Sequence, residues 1–179
     1  MILYDMHIHY AKKEDIDEIL GAVNMLGLKL VGLVTHHRTN VRKYIDLDYD
    51  IEVLWGIEMK YPFPSKPKDY DFVLVHMQDM EVTPEIIRRM KGDIIAHPTA
   101  YNVIWSEEAL EELKSKEILV EFNASHYKSR DERFYKELIK RGIEIIYGSD
   151  AHSVDEIYSS PHPSYVIPLE RVRERFSRK

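Results

Sequence analysis

The chain of 179 residues contains no cysteine. That excludes disulfides and thiolate metal sites, so any metal ion must be held by nitrogen and oxygen ligands. A basic excess is also lacking: 25 Lys and Arg against 31 Asp and Glu give a formal charge of −6, which disfavours a broad surface for nucleic acid. No apolar run reaches membrane-spanning length, and no basic-then-apolar leader opens the sequence. A soluble, cytoplasmic protein with no membrane partner is expected. No Gly/Ser-rich linker interrupts the chain, whose length suits one domain over residues 1–179.

What is present is a repeating pattern. Short apolar runs (ILYDMHIH, LKLVGLVT, EVLWGIEM, YDFVLVHM, DIIAH, EILVEFN and IEIIYGSD) alternate with charged segments of helical period. Near-continuous apolar runs are the mark of strands buried on both faces, as in a parallel sheet covered by helices. Residues 15–26 place Ile16, Ile19, Leu20, Val23 and Leu26 on one helical face. Thr83 and Pro84, Ser106, and Ser129 with Glu132 are helix-start signals. Two connections look different: Arg38 to Asp50, and the proline-rich stretch from Lys60 to Tyr70, which cannot be helical. Seven strands, with an irregular eighth at SYVIP (164–168), predict an α/β fold. An ordinary (β/α)8 barrel needs roughly 200 residues or more, so the barrel must be trimmed and distorted.

The histidines give this pattern its meaning. In DMHIH, Asp5, His7 and His9 project to one side of an extended strand, although an H-x-H alone carries little weight. His36 and His37 end the second run, Glu58 the third, and His76 and His97 the fourth and fifth. Glu121 and Asn123 sit in the sixth run, and Asp150 and His152 follow the seventh. A parallel barrel brings all C-terminal strand ends to one face, so these side chains would converge. Imidazoles and carboxylates without thiolate suit Zn, Mn or Fe, in greater number than one tetrahedral ion can use. Two or three divalent ions are therefore expected, with hydrolysis as their natural chemistry.

The order of DMHIH, VTHH (34–37), GIE (56–58), the strand-end His76, AHP (96–98), EFN (121–123) and GSDAH (148–152) resembles the PHP family, named for polymerase and histidinol phosphatase domains. The resemblance covers nearly the whole chain. It implies a distorted (βα)7 TIM-like barrel and a metal-dependent phosphoesterase that hydrolyses a small phosphomonoester, histidinol-phosphate-like or a nucleotide, by attack of metal-activated hydroxide. It implies metal ligands at His7, His9, His37, Glu58, His76, His97, Asp150 and His152, with Glu58 bridging, and assigns Glu58, Asp150 and His152 to the reacting centre. Asp5, His36, Glu121 and Asn123 are expected to orient ligands.

Two departures from the family stand out. Thr35-His36-His37 replaces the usual T-D-H, and the segment after DMHIH is short, so a further family ligand is missing or replaced. Asp15 is more simply a helix N-cap. Arg38, His126, Lys128 and Arg130 are the candidate grips on substrate phosphate, while Trp55 and Trp105 are read as packing residues. Two alternative functions go with related barrels: an RNA-binding structural subunit related to the barrel protein of ribonuclease P, where the metal ligands present here are generally degraded, and a 3′–5′ exonuclease, which keeps the chemistry and changes the substrate. Nucleic acid is otherwise expected only as a substrate.

Overall fold

A computed structural model describes residues 3–37, 50–158 and 163–176. The chain runs β1 (Tyr4–His9), α1 (Lys13–Met25), β2 (Leu30–Thr35), β3 (Glu52–Lys60), β4 (Phe72–His76), β5 (Met80–Val82) and α2 (Pro84–Arg89). It continues with β6 (Ile94–Ala96), β7 (Val103–Trp105), α3 (Glu107–Ser115), β8 (Leu119–Asn123), α4 (Glu132–Arg141), β9 (Ile145–Gly148) and α5 (Leu169–Phe176).

The seven apolar runs are β1, β2, β3, β4, β6, β8 and β9, which form one parallel sheet in that order. Its outer strands nearly meet. Ile8 bridges to Ala151, His9 N–H donates to Ala151 O at 2.8 Å, and Asp150 N–H donates to His7 O at 2.8 Å. The result is an α/β structure with a nearly closed, barrel-like parallel sheet. β5 and β7 pair apart from it as a two-stranded parallel ribbon, which the sequence did not signal because each strand is only three residues long.

Helices accompany the strands unevenly. The proline-rich connection between β3 and β4 has no helix, because proline lacks the N–H and clashes with the preceding turn. Residues 38–49, including Arg38, lie outside the described residues, as does His162. α1 buries Ile16, Ile19, Leu20 and Val23 against Ile8, Val31 and Leu33. Leu26, expected on that face, is exposed because the helix ends one residue earlier.

Every residue of β1 and β2 is buried, as two-sided coverage requires. The sheet closes tightly around Phe72. A Cβ on Gly56 would run into the Phe72 ring, and one on Gly32 would lie 2.8 Å from its Cζ. Two glycines on adjacent strands thus make room for one aromatic ring in a close-packed interior.

The C-terminal stretch seals one end of the sheet. Tyr4 Oη donates to Ile167 O at 2.7 Å, Ile167 N–H donates to Ile145 O at 2.8 Å, and the Phe72 and Phe176 rings lie 5.6 Å apart. Tyr4, Phe72 and Ile145 each begin a strand, so residues 167–176 cover the N-terminal strand ends. α5 anchors there through Leu169, Val172 and Phe176, spaced for one helical face.

Two local expectations are corrected. SYVIP is a turn rather than an eighth strand; Pro163 and Pro168 bracket it and cannot donate to a ladder. The helix-start signal at Ser129 and Glu132 lies one residue earlier: Lys128 N–H donates to Asp131 Oδ2 at 2.9 Å, and a short 3-10 turn, Ser129–Asp131, precedes α4. Glu132 instead accepts from Tyr127 Oη at 3.1 Å. Among the described residues, no helix is long and apolar enough to cross a membrane.

Candidate metal centre

The C-terminal strand ends converge on Glu58, a buried carboxylate near the end of β3. Its Oε1 lies 2.8 Å from His97 Nε2 and 3.3 Å from His76 Nδ1. Its Oε2 lies 3.4 Å from His9 Nε2, 3.4 Å from His36 Nδ1 and 3.6 Å from His7 Nε2. Asp150, just after β9, adds a second carboxylate, with Oδ1 3.2 Å from His9 Nε2 and 3.5 Å from His7 Nε2. Three groups have ligand atoms within 4.8 Å of one another: His7, His9 and Asp150; Glu58, His76 and His97; and His9, His36 and His152.

A further layer of hydrogen bonds fixes these side chains. His7 Nδ1 donates to Glu121 Oε1 at 2.7 Å, which turns Nε2 to the cluster, where it carries a lone pair once the ring is neutral. Glu121 Oε2 accepts from His97 N–H at 2.7 Å and Asn123 Nδ2 at 2.9 Å, and Asn123 Nδ2 also reaches Asp150 Oδ2 at 3.2 Å. Asp5 acts on the backbone rather than on a ring: its Oδ1 accepts from His7 N–H and Ser149 N–H, both at 3.0 Å. It thereby ties β1 to the loop after β9. Burial pushes the Asp5 carboxyl up to about 6.

Backbone placement is equally specific. A Cβ on Gly148 would run into Glu121 Oε1 and lie 2.8 Å from the His7 Cβ. His97 and Asp150 take positive φ, 30° and 59°, a conformation uncommon outside glycine and concentrated at functional sites. β1 carries a register irregularity against β2 between Asp5 and Ile8, the kind of bulge that re-aims neighbouring side chains.

The charge balance suits a cation. Burial alone would push the Glu58 carboxyl up, but its bonds with His7, His76, His9 and His97 reverse this and hold it far below the carboxylate range. Asp150 is also held low against its burial, by His126 and His9. Burial opposes charge on His7, yet Glu121, Glu58 and Asp150 hold its imidazole well above the ordinary histidine value. His9 shifts the same way, with Asp150 and Glu58 outweighing burial.

His7 Nε2 and His9 Nε2 stand 2.9 Å apart, facing the same carboxylate oxygens. Lone pairs in that arrangement require a shared positive charge, from protons or from an ion. His76 Nε2 and His97 Nδ1 are buried without a hydrogen-bond partner. This donor set of imidazoles and carboxylates could hold divalent metal ions.

Around the cluster the structure separates the sequence candidates. His36 rather than His37 is turned to Glu58, and it stacks on His9 at 4.4 Å. The exposed His37 lies outside the three ligand groups, where its backbone bonds with Thr35 Oγ1. His152 stacks on His9 from another side at 4.2 Å, and its Nδ1 donates to Asp150 O at 2.9 Å. Asp15 Oδ2 accepts from Ala11 N–H and Lys12 N–H, both at 3.0 Å, so its carboxylate is engaged at the start of α1.

His126 reaches Asp150 Oδ2 at 3.3 Å, placing it at the cluster's edge, and it lines a groove together with Lys128 and Arg130. Trp105 packs on Phe134 and donates to Pro98 O at 2.8 Å, but it also lines that groove.

Tyr101, Gly148 and Ser149 are site residues that the sequence reading passed over. Tyr101 stacks on His76 at 4.9 Å, but its motif-free surroundings carry no signal. Gly148 and Ser149 belong to GSDAH, in which only Asp150 and His152 are of ligand type. No family model matches this chain, and no curated protein matches it.

Proposed function

We propose that this chain is a metal-dependent phosphoesterase of the PHP type, built on a trimmed (βα)7 barrel and acting on a small phosphomonoester. The observation that carries the reading is the convergence of His7, His9, His36, His76 and His97 on the buried Glu58. Asp150 adjoins the same cluster. His7, His9 and Asp150 would hold one ion and His76 and His97 another, with Glu58 between them; His36 and His152 are placed for a third. Divalent ions there would supply an acidified water and neutralise charge on a phosphoryl group.

The protein's own residues do the rest. Glu121 keeps the His7 lone pair aimed inward, and Asp5 and Gly148 hold the strand spacing that lets it do so. His126 sits between Asp150 and the groove, where its imidazole can orient the departing side of a substrate. The N-terminal strand ends, sealed by α5, play no chemical part.

Metal analysis followed by hydrolysis of a generic aryl phosphate with added Mn or Zn tests the reading. Two or three ions per chain and turnover are expected, with both lost in Glu58→Ala. Metal-loaded protein inert on a broad panel of phosphomonoesters and phosphodiesters would overturn it. Salt-sensitive RNA binding by metal-free protein would replace it with the structural RNA-binding reading.

A further inference from the structure

Two grooves flank the metal centre, and their chemistry differs in sign. One, of about 590 Å³, is lined by Asp15, Glu18 and Asp155 together with His36, His37 and His152. The other, of about 720 Å³, is lined by Tyr101, Trp105 and Phe134, by Lys128 and Arg130, and by one acid, Asp131. Both volumes suit a small ligand. A negatively charged group is repelled by the first groove and attracted by the second.

The second groove is continuous with the cluster. Tyr101 forms the shared wall: its ring lies 4.9 Å from His76, 5.1 Å from His97 and 5.1 Å from His126, and its hydroxyl is 3.2 Å from His126 Nε2. The backbone holds it there at a conformational cost. Tyr101 and Asn102 both have φ of 54°, which non-glycine residues rarely adopt. Asp79, itself at φ 50°, donates its N–H to Tyr101 O at 2.8 Å and accepts from Asn102 Nδ2 at 2.9 Å. Strain locked by surrounding bonds is a property of functional positions.

Beyond Tyr101 the groove is lined by the aromatic side chains of Trp105 and Phe134. The Arg130 guanidinium is only loosely held, 3.8 Å from Asp131 and 74% exposed.

We propose that this groove is the leaving-group subsite, that it selects phosphate esters whose alcohol is a flat ring carrying a second negative charge, and that Tyr101 is its specificity-determining wall. The inference rests on the phosphoesterase reading and adds to it the class of substrate. In the reaction a water oxygen bonds to phosphorus. The phosphorus–oxygen bond to the ring alcohol breaks with its electron pair on that oxygen, which takes up a proton from the water. The ring stacks on Tyr101 and Trp105, and its anionic substituent faces Lys128 and Arg130.

The test compares kcat/KM for 4-carboxyphenyl phosphate, 4-(aminomethyl)phenyl phosphate and glycerol phosphate with metal-loaded protein. The carboxylate ester should lead the aminomethyl ester by about tenfold at low salt, the preference shrinking as salt screens the exposed cations. Lys128→Ser with Arg130→Ser should collapse that ratio. Tyr101→Ala should raise KM for both aryl esters by about tenfold, the effect of losing one stacking face. The KM for glycerol phosphate, which has no ring to stack, should rise far less than the KM for either aryl ester.

Equal losses on all three esters in Tyr101→Ala, or a charge preference untouched in the double variant, would overturn the subsite while leaving the phosphoesterase reading intact. Calorimetric binding of 4-hydroxybenzoate keeps the two separable. An inert protein that binds it through Tyr101, Lys128 and Arg130 overturns the reaction and supports the ring-and-anion site. An inert protein that does not bind it overturns both.

Discussion

The two ends of the sheet are built on opposite terms. At the N-terminal end, Phe72 fills the space left by Gly56 and Gly32, and Tyr4 reaches Ile167 with a short hydrogen bond. At the C-terminal end, imidazoles crowd buried carboxylates, His76 Nε2 and His97 Nδ1 lack partners, and His97 and Asp150 hold strained backbone. Buried, unpaired polar atoms are destabilising. The satisfied end therefore carries the stability that lets the other end be arranged for binding, and the two should respond differently to substitution.

The largest expected effect falls on the satisfied end. Phe72→Ala removes a fully buried ring that no neighbouring side chain can replace, and should cost about 3–5 kcal/mol by the usual aromatic-to-alanine loss. Chemical denaturation of metal-free protein measures it. The fraction still folded should bind metal with unchanged stoichiometry, because Phe72 begins β4 whereas His76 ends it. Loss of metal sites in folded Phe72→Ala protein would break the division between the ends.

The sequence showed these two ends unequally. Apolar runs mark two-sided burial, and burial is what closes a parallel sheet, so the seven main strands were readable. The ribbon of β5 and β7 was not, since three residues carry no period. At the site, residue type announced candidate ligands, but side-chain direction did not follow from it. His36 and His37 are adjacent in sequence, and the turn after β2 decides which faces Glu58. Tyr101 was invisible for another reason: its position depends on Asp79, 22 residues earlier (101 − 79), through a backbone bond that no motif encodes.

On the strained end, Glu121→Gln offers the next effect. The carboxylate accepts from His7 Nδ1 and from His97 N–H, so an amide weakens two supports at once. Removing such a support typically costs 10–100-fold in metal affinity, about 1.4–2.8 kcal/mol when converted at 1.4 kcal/mol per tenfold, and competition with a chelator reads it directly. Unfolding free energy without metal should move less. An unchanged affinity would mean that His7 is aimed by packing alone.

Metal binding itself sharpens the comparison by about 2.7 kcal/mol when the ion is present at a hundred times its dissociation constant. That gain should appear with a release of protons. Without metal, His7 and His9 are held above the ordinary histidine value by their carboxylate neighbours, and an ion needs the lone pairs those protons occupy. Affinity must then fall as pH falls, since added protons compete for the same nitrogens. Calorimetry in buffers of different ionisation enthalpy counts the protons, and a count of zero would show that the rings are already neutral.

The smallest expected effect lies away from both ends. Ser106 Oγ accepts from Ala109 N–H at 3.1 Å and caps α3, satisfying a donor that the helix cannot pair internally. Ser106→Ala should destabilise the protein by about 1 kcal/mol, detectable in denaturation. α3 follows Trp105, a wall of the proposed leaving-group groove, and Ser106 N–H is tied to Val82 O of the ribbon at 3.2 Å. The Ser106→Ala substitution retains that backbone bond, so metal affinity should stay within about twofold, as distant sites behave additively. A larger change would show that the ribbon and α3 transmit strain to Tyr101, making the unsatisfied end dependent on a cap it never touches.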